Sequence, residues 1–295
     1  MKNSLHKSIA IITPAKNESS NISSLVGSFS KQTFMPKLWV FVNDGSTDDT
    51  VKVFENEVKK NKQLFKQCEI RLVNHRDPDS GYALGEKYSR VIKFGMDEVF
   101  NHENNNNKLF DYIGILDADV FPQPDYYEKI ITKFHLNPKL GIAAAGTQIE
   151  FSEDGSKTLS KNNRSHAPGG FRVWRRECLE KTGYTPSVSQ DAVSQARAIL
   201  LNWEVKSFSD IKVEMRKRGS VFGYQYYGKS AYVRWVPFFY VLLGALKLYL
   251  NNRYNDANLY LAGYKEAKKN NVPRIKDPIA KKYFRNRLIY KLMGK

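Results

Sequence analysis

Asp117-Ala118-Asp119 sets two carboxylates one residue apart, directly after an apolar run over residues 112–116. The run is short, rich in isoleucine and bounded by turn-forming residues, which predicts a buried strand. Carboxylates at the end of a buried strand are costly unless something cationic compensates them. In an extended segment, residues i and i+2 point to one side, so Asp117 and Asp119 could converge on one ion. Hard oxygen ligands suit Mg²⁺ or Mn²⁺, which take one or two carboxylates together with substrate phosphates. The competing reading is a strand end followed by an acidic, solvated turn, and three residues by themselves do not separate the two.

Three more polar clusters follow apolar segments in the same way. Residues 8–13 form a predicted strand ending at Pro14, followed by Ala15-Lys16-Asn17-Glu18. Residues 37–42 lead into Asn43-Asp44-Gly45-Ser46-Thr47-Asp48-Asp49, and residues 69–73 lead into the polar stretch 74–80. Helical patterns lie between these strands. Ile22, Leu25, Val26 and Phe29 mark the first. Val51, Phe54 and Val58 mark the second, which begins near Asp48 with Ser46 or Thr47 as its cap. A third helix is predicted over 82–99, and residues 101–108, with four consecutive asparagines, are predicted as a loop.

Strands alternating with helices predict an α/β fold with a doubly wound, mostly parallel sheet of the Rossmann-like kind. Such sheets bind ligands outside the carboxyl ends of their strands, which puts all four polar clusters on one edge. Glu18 and Asp44 could accept hydrogen bonds from ribose hydroxyls or a base edge there, a cation at Asp119 could neutralise a diphosphate, and helix N-termini add positive potential. Glu18 and Asp44 could equally be helix-capping acids. Arg76 and Lys87 could reach the diphosphate or lie on the surface. Neither G-x-G-x-x-G nor G-x-x-x-x-G-K-[ST] occurs, so neither a dinucleotide enzyme nor a P-loop NTPase is supported.

The charge is unevenly placed. Of 295 residues, the first 211 carry 28 Lys+Arg against 26 Asp+Glu, whereas residues 212–295 carry 19 against 4. A basic segment of this kind predicts an anionic partner, either nucleic acid or a membrane surface. Cys68 and Cys178 have neither metal-ligand spacing nor a disulfide framework, which fits a reducing cytoplasm. Residues 1–7 are polar and predict no signal peptide.

Three motifs, in order and at matching spacing, resemble the family-2 inverting glycosyltransferases of GT-A fold: Thr13-Pro14-Ala15-Lys16-Asn17-Glu18, Val42-Asn43-Asp44-Gly45-Ser46-Thr47-Asp48 and Leu116-Asp117-Ala118-Asp119. A fourth region, Gly169-Gly170-Phe171-Arg172-Val173-Trp174-Arg175-Arg176-Glu177 with Gly183 and Gln190-Asp191, is similar to that family's acceptor segment. The resemblance spans residues 8–210. It implies a UDP- or GDP-linked sugar donor lying against Pro14, Ala15, Asn17, Glu18, Asp44, Asp117 and Ala118, with Arg76 as the candidate diphosphate contact named above from its place after the third strand. It also implies Mg²⁺ or Mn²⁺ held by Asp119 with Asp117, and Asp191 as the general base. Two departures stand out. Gln190 replaces the glutamate that precedes the base in the family, and no histidine occurs at 210–216, where many relatives have a further metal ligand. Asp210 and Glu214 are the candidate substitutes. Without the resemblance, Asp191 reads as a helix N-cap.

In the basic C-terminal part, residues 235–250 are the most hydrophobic stretch. About 13 residues from Pro237 to Leu250 fall short of the roughly 20 a spanning helix needs, so no transmembrane segment is predicted. Pro237 suits the first turn of a helix. Lys212, Arg216, Lys217, Arg218, Lys229, Arg234, Arg253, Lys281, Lys282, Arg285, Arg287 and Lys291 surround the stretch, interleaved with aromatics. That pattern fits an interfacial helix on anionic lipid. A packed helical hairpin with a solvated basic face is the second reading, and a nucleic-acid surface ranks last.

The sequence thus predicts a GT-A-type domain over 1–210, with a nucleotide-sugar half to about 120 and an acceptor half to 210. A basic, mostly helical extension follows over 211–295. The expected activity is metal-assisted, inverting transfer of a sugar of hexosyl type to an acceptor hydroxyl or phosphate. The acceptor expected is a glycan or polyprenyl-linked molecule of cell-envelope polysaccharide or glycolipid synthesis, at the inner face of the cell membrane. A sugar-nucleotide pyrophosphorylase would need a Gly-rich, arginine-containing loop after the first strand, which 14–18 is not. The alternative from another class is a non-enzymatic lipid- or RNA-binding protein that retains a nucleotide-binding fold.

Overall fold

The computed structural model describes residues 7–76, 85–152, 155–162, 164–216 and 223–292. The predicted positions 77–80 of the third polar cluster, 82–84 of the third helix, and Lys217 and Arg218 lie outside the described residues, as does the side chain of Lys291.

The first half alternates strand and helix as its periodicity requires: β1 (Ile9–Ala15), α1 (Ser19–Ser30), β2 (Leu38–Asn43), α2 (Thr50–Lys60), β3 (Glu69–Asn74), α3 (Glu86–Asn106) and β4 (Tyr112–Ile115). Then come β5 (Val120–Pro122), α4 (Tyr126–Leu136), β6 (Leu140–Phe151), β7 (Lys157–Lys161), β8 (Arg172–Arg175), α5 (Arg176–Thr182), α6 (Gln190–Leu200) and β9 (Glu204–Arg216). Among the described residues these strands form one sheet in the order β3-β2-β1-β4-β8-β6-β9-β5, with β7 added to β6. The strands β1 to β4 pair in parallel. Beyond β4 the sheet is mixed, because β8 runs antiparallel to both β4 and β6 while β6 and β9 are parallel.

Every residue of β2 is buried, as expected of a central parallel strand covered on both faces. Trp39 and Phe41, two apart and on one face, stack on Phe29 of α1 and Phe54 of α2 with ring centroids 3.9 Å apart in each pair. On the other face α3 comes so close to β1 that a Cβ at Gly95 would lie 2.4 Å from Ile12 Cγ2.

Helix α3 runs through the first three of the four asparagines predicted as a loop, and the fourth, Asn107, ends it in the left-handed region. The reason is burial on one side. Val99, His102 and Glu103 face inward, and the Glu103 carboxylate takes the Phe110 amide and the Arg176 guanidinium. Helix α2 also starts later than predicted. Neither Ser46 nor Thr47 caps it. Asp48 instead accepts from the Thr50 amide at 3.0 Å and from the Ser19 amide at 3.1 Å, tying the starts of α1 and α2 together.

The strand β9 passes through position 210 to Arg216. The remaining helices are α7 (Gly223–Val233), α8 (Phe238–Leu250), α9 (Tyr254–Lys269), α10 (Pro278–Arg285) and α11 (Arg287–Leu292). Helices α7 to α10 contribute to a second apolar cluster that includes Val193 and Ala196 of α6. Arg197 of α6 pairs with Asp277 at 2.7 Å, and Asp277 caps α10 through the Ala280 amide.

Candidate active site

The loops after β1 and β2 are laced together. Asn17 adopts a left-handed conformation (φ 55°), and its side-chain oxygen accepts from the Thr47 amide at 2.8 Å. Its own amide donates to Ser46 Oγ at 3.1 Å, and the Glu18 amide donates to Thr50 Oγ1 at 2.8 Å. Pro14 and Ala15 sit beside Val42 and Asn43 at the carboxyl ends of their strands.

Asp44, next along this edge, is buried and faces three basic side chains. Lys16 Nζ and Lys87 Nζ each lie 3.8 Å from Oδ2, and His75 Nδ1 lies 3.3 Å from Oδ1. Lys87 is itself buried and meets this carboxylate, so its positive charge enters the site through Asp44. Arg76 stands exposed beyond β3, and it is His75, one residue earlier, that reaches Asp44.

The acids Asp117 and Asp119 do not lie on extended backbone. The chain turns there, the Val120 amide donating to the Asp117 carbonyl at 3.1 Å, so the shared-face geometry expected for i and i+2 fails. Their carboxylates have different neighbours. Asp117 Oδ1 accepts from the hydroxyl of Tyr88 on α3, and the Asp117 amide donates to the Gly170 carbonyl at 2.7 Å. Burial and the adjacent Asp117 carboxylate push the Tyr88 phenol well above its ordinary range. Asp119 instead shares a cation with Glu18: Arg216 Nη2 lies 3.6 Å from Asp119 Oδ2 and 3.6 Å from Glu18 Oε1. Burial and the nearby Asp119 charge raise the Glu18 carboxyl above its ordinary value, against opposing contributions from Asn21 and Arg216. Ala118 between the two acids is buried.

Asp191 lies in the first turn of α6, while the N-cap position is Ser189. The N-cap reading of Asp191 is therefore replaced. Its backbone is fixed from beneath by Arg172. This fully buried guanidinium donates to the Asp191 carbonyl at 3.0 Å, to the Pro168 carbonyl at 3.0 Å and to the Ala167 carbonyl. Burial lowers the Arg172 pKa, and the charges of Asp191 and Asp117 offset part of that cost. Burial lowers the pKa of Arg234, which directly follows α7, and the Asp191 carboxylate offsets part of that shift, so the C-terminal part of the chain contributes a charge to this site.

Gly169-Gly170 separates the two acids. A Cβ at Gly170 would lie 2.1 Å from Asp117 Oδ2, and one at Gly169 would lie 3.3 Å from Asp191 Cβ. Asp117 and Asp191 thus flank one short glycine spacer, at the edge where Glu18, Asp44 and Asp119 also stand.

The candidate substitutes for the third metal ligand are engaged elsewhere. Asp210 pairs with Lys133 at 2.8 Å, while Glu214 takes Gln123 at 3.2 Å and Lys157 at 3.4 Å. Among the described residues no group of three His, Cys, Asp or Glu could hold an ion by itself. The hard oxygens of Asp119, with Glu18 beside it, suit Mg²⁺ or Mn²⁺ bound jointly with a diphosphate, since such ions take few protein carboxylates.

Tyr88, His75, Arg172 and Arg234 were not singled out by sequence as site residues. His75 was findable, since it follows β3 on the same edge as the other polar clusters. Arg172 lies inside the Gly169–Glu177 resemblance, but only the fold shows that it turns inward beneath α6. The signal for Tyr88 and Arg234 is tertiary alone.

A family model described as glycosyl transferase family 2 matches residues 10–195. Among curated proteins, the probable glucomannan 4-beta-mannosyltransferase 10 of Arabidopsis thaliana is 25% identical over 243 residues, covering 74% of this chain and 41% of its own. Glucomannan 4-beta-mannosyltransferase 9 of the same plant is 25% identical over 210 residues, covering 64% and 37%. The chain therefore spans about two fifths of the length of these relatives. Among solved structures, the mannosyltransferase PcManGT from Pyrobaculum calidifontis, in complex with GDP-Man and Mn²⁺, has a TM-score of 0.52 at 15% identity, covering 97% of this chain and 79% of that one. S. aureus TarS 1–349 in complex with UDP-GlcNAc has a TM-score of 0.52 at 14% identity, covering 76% and 64%. These likenesses show a shared GT-A fold. Together with the motif order on one sheet edge, the family match over residues 10–195 means that this chain belongs to glycosyl transferase family 2.

Proposed function

We propose that the chain catalyses inverting transfer of a hexosyl group from a nucleoside-diphosphate sugar to an acceptor hydroxyl or phosphate, with Asp191 as general base. The observation that carries this reading is the placement of Asp117 and Asp191 on either side of Gly169-Gly170, at the edge shared with Asp44 and Asp119. Asp44, held among Lys16, Lys87 and His75, receives the nucleoside together with Pro14, Ala15, Asn17 and Glu18. Asp117, oriented by Tyr88, faces the ribose beside Ala118. Arg76 lies within the same edge as a diphosphate contact. Asp119 would hold a divalent ion, which when bound would supply charge neutralisation for the leaving group.

In the transfer, Asp191 takes the proton from the acceptor hydroxyl. The acceptor oxygen forms its bond to the anomeric carbon as the bond from that carbon to the diphosphate oxygen breaks, and the nucleoside diphosphate leaves with the electron pair. Arg172 holds the Asp191 backbone, so the base enters the reaction already positioned. The curated relatives are named as mannosyltransferases and one structural neighbour is described with GDP-Man, which makes GDP-mannose the first donor to test. A glycan or polyprenyl-linked acceptor of the cell envelope, met at the inner face of the cell membrane, completes the proposal. The basic C-terminal helices support it.

The test is Asp191→Asn assayed for transfer and for nucleotide binding. Removing a general base should lower turnover by about 10²–10⁴ while nucleotide affinity stays within twofold. Wild-type turnover in this variant would remove Asp191 from the mechanism.

A further inference from the structure

Helix α8 packs on α9 through Val241 and Ala245, which are buried, and through Gly244, whose absent Cβ lets the Tyr260 ring approach. Its other side is uncovered. Phe239, Leu242, Leu243, Leu246, Tyr249 and Leu250 are exposed by 59%, 43%, 42%, 53%, 57% and 75%. At about 100° per residue these six positions fall on one continuous strip about 120° wide, with no polar residue inside it. Scattered exposed leucines need no explanation, but a single-faced strip of six large apolar side chains does.

Charge and aromatic placement identify what covers the strip. Lys247 borders it within the helix, and α8 contains no acidic residue. At its C-terminal end Tyr249 packs edge-on against the exposed Tyr254, with ring centroids 4.5 Å apart, and half-exposed Arg253 stands between them in sequence. Tyrosines and cations at the rim of an apolar helix face match the boundary between lipid headgroups and acyl chains. The segment around the helix, residues 212–295, carries 19 Lys+Arg against 4 Asp+Glu. A second copy of the chain would bring an equally cationic surface against this one, whereas an anionic bilayer complements it. The helix cannot cross the bilayer, since among the described residues none is long and apolar enough.

We infer that α8 lies in the plane of an anionic membrane, its Phe239–Leu242–Leu246–Leu250 strip inserted among the acyl chains, with Lys247 and Arg253 at the headgroups. This inference rests on the proposed membrane-proximal acceptor and names the surface that would reach it. The same module packs on α6 through Val193 and Ala196. Docking by α8 therefore fixes the orientation of the Asp191 end of the site with respect to the membrane.

The test is flotation of the full chain with vesicles of phosphatidylcholine and phosphatidylglycerol, and with phosphatidylcholine vesicles alone. The wild type is compared with the triple variant Phe239→Ser, Leu242→Gln, Leu246→Gln and with Lys247→Glu. Nucleotide titration with Mn²⁺ on each protein reports separately on the donor site. The expected result is binding that requires the anionic lipid, falls about a hundredfold or more in the triple variant and weakens in Lys247→Glu, with nucleotide affinity unchanged in both. Vesicle binding that is undiminished in the triple variant overturns the inference. So does an absence of vesicle binding, and a wild-type dimer that the triple variant converts to monomer would then assign the strip to self-association. Neither outcome touches the transferase reading while nucleotide binding is intact.

Discussion

The Asp117 amide donates to the Gly170 carbonyl at 2.7 Å, and the Asp117 carboxylate lies where a side chain at position 170 would begin. A Cβ there would sit 2.1 Å from Oδ2, well inside contact distance. The glycine is needed for close approach, since its backbone φ is not in the left-handed range. Gly170→Ala must therefore displace an acid that Tyr88 holds from the other side. It should cost about 2 kcal/mol of stability, and nucleotide affinity should fall with it. Denaturant unfolding and nucleotide titration of the variant check the two effects.

Removing the Tyr88 hydroxyl tests the same acid from the opposite direction. Tyr88→Phe keeps the ring packing and takes away the donor to Asp117, at a cost of about 1.5–3 kcal/mol for a hydrogen bond to a charged group. Nucleotide affinity should weaken in this variant, and a crystal structure should show the Asp117 carboxylate rotated from its present position. Unaltered affinity would show that Asp117 needs no such anchor.

Arg172 is buried and satisfies three carbonyls that converge from 167, 168 and 191. Lysine cannot reproduce the fork, so Arg172→Lys should destabilise the fold by about 2–4 kcal/mol. Because the role is to position Asp191, turnover should fall more than the Michaelis constant for the donor rises. Steady-state kinetics on donor and acceptor separate these two parameters.

The Arg216 guanidinium stands between Asp119 and Glu18 and competes electrostatically with any ion for those carboxylates. Arg216→Ala should strengthen binding of Mn²⁺ alone, read by the loss of the free-ion electron paramagnetic resonance signal. It should weaken binding of nucleoside diphosphate in the absence of metal, since a cation near the phosphates is lost. A variant with unchanged Mn²⁺ affinity would show that Arg216 does not compete for Asp119.

Asp48 sets a pH dependence whose sign is fixed. Its carboxyl is held at about 2 in the fold, below its ordinary 3.8. Slight burial opposes this shift, and hydrogen bonds from Thr50 and Ser19 outweigh it. A depressed folded-state value contributes stability that is present above 3.8 and lost as pH falls towards 2. Asp48→Asn should therefore melt lower than wild type at neutral pH, and the gap should close as pH falls through that window. The effect is modest, because Asp48 is exposed and solvent screens its partners.

The parallel half of the sheet was legible because each of β1, β2 and β4 is a short apolar run closed by turn residues, and buried parallel strands have to be so. The edge location of Glu18, Asp44 and Asp117 followed from the same rule, since α/β crossovers put every loop after a strand on one side. What sequence missed depends on packing between distant segments. The helical continuation through residues 101–106 depends on Glu103 meeting Arg176, and asparagine tracts carry no sign of that. The different neighbours of Asp117 and Asp119 depend on a turn set by Gly170 and Tyr88, one 53 residues later and the other 29 residues earlier in the chain. Arg234 and the open face of α8 depend on how the C-terminal helices pack, which hydrophobicity along the chain does not resolve.

The most direct test of the donor site is calorimetric titration of GDP and UDP into the full chain, with and without Mn²⁺, repeated on Asp119→Ala. The account predicts binding of one of the two nucleotides that is strengthened by Mn²⁺ in the wild type, and an affinity in the variant that no longer responds to the metal. Absence of binding by either nucleotide under any metal condition, or an unchanged metal response in Asp119→Ala, would contradict the placement of the nucleotide sugar at this edge.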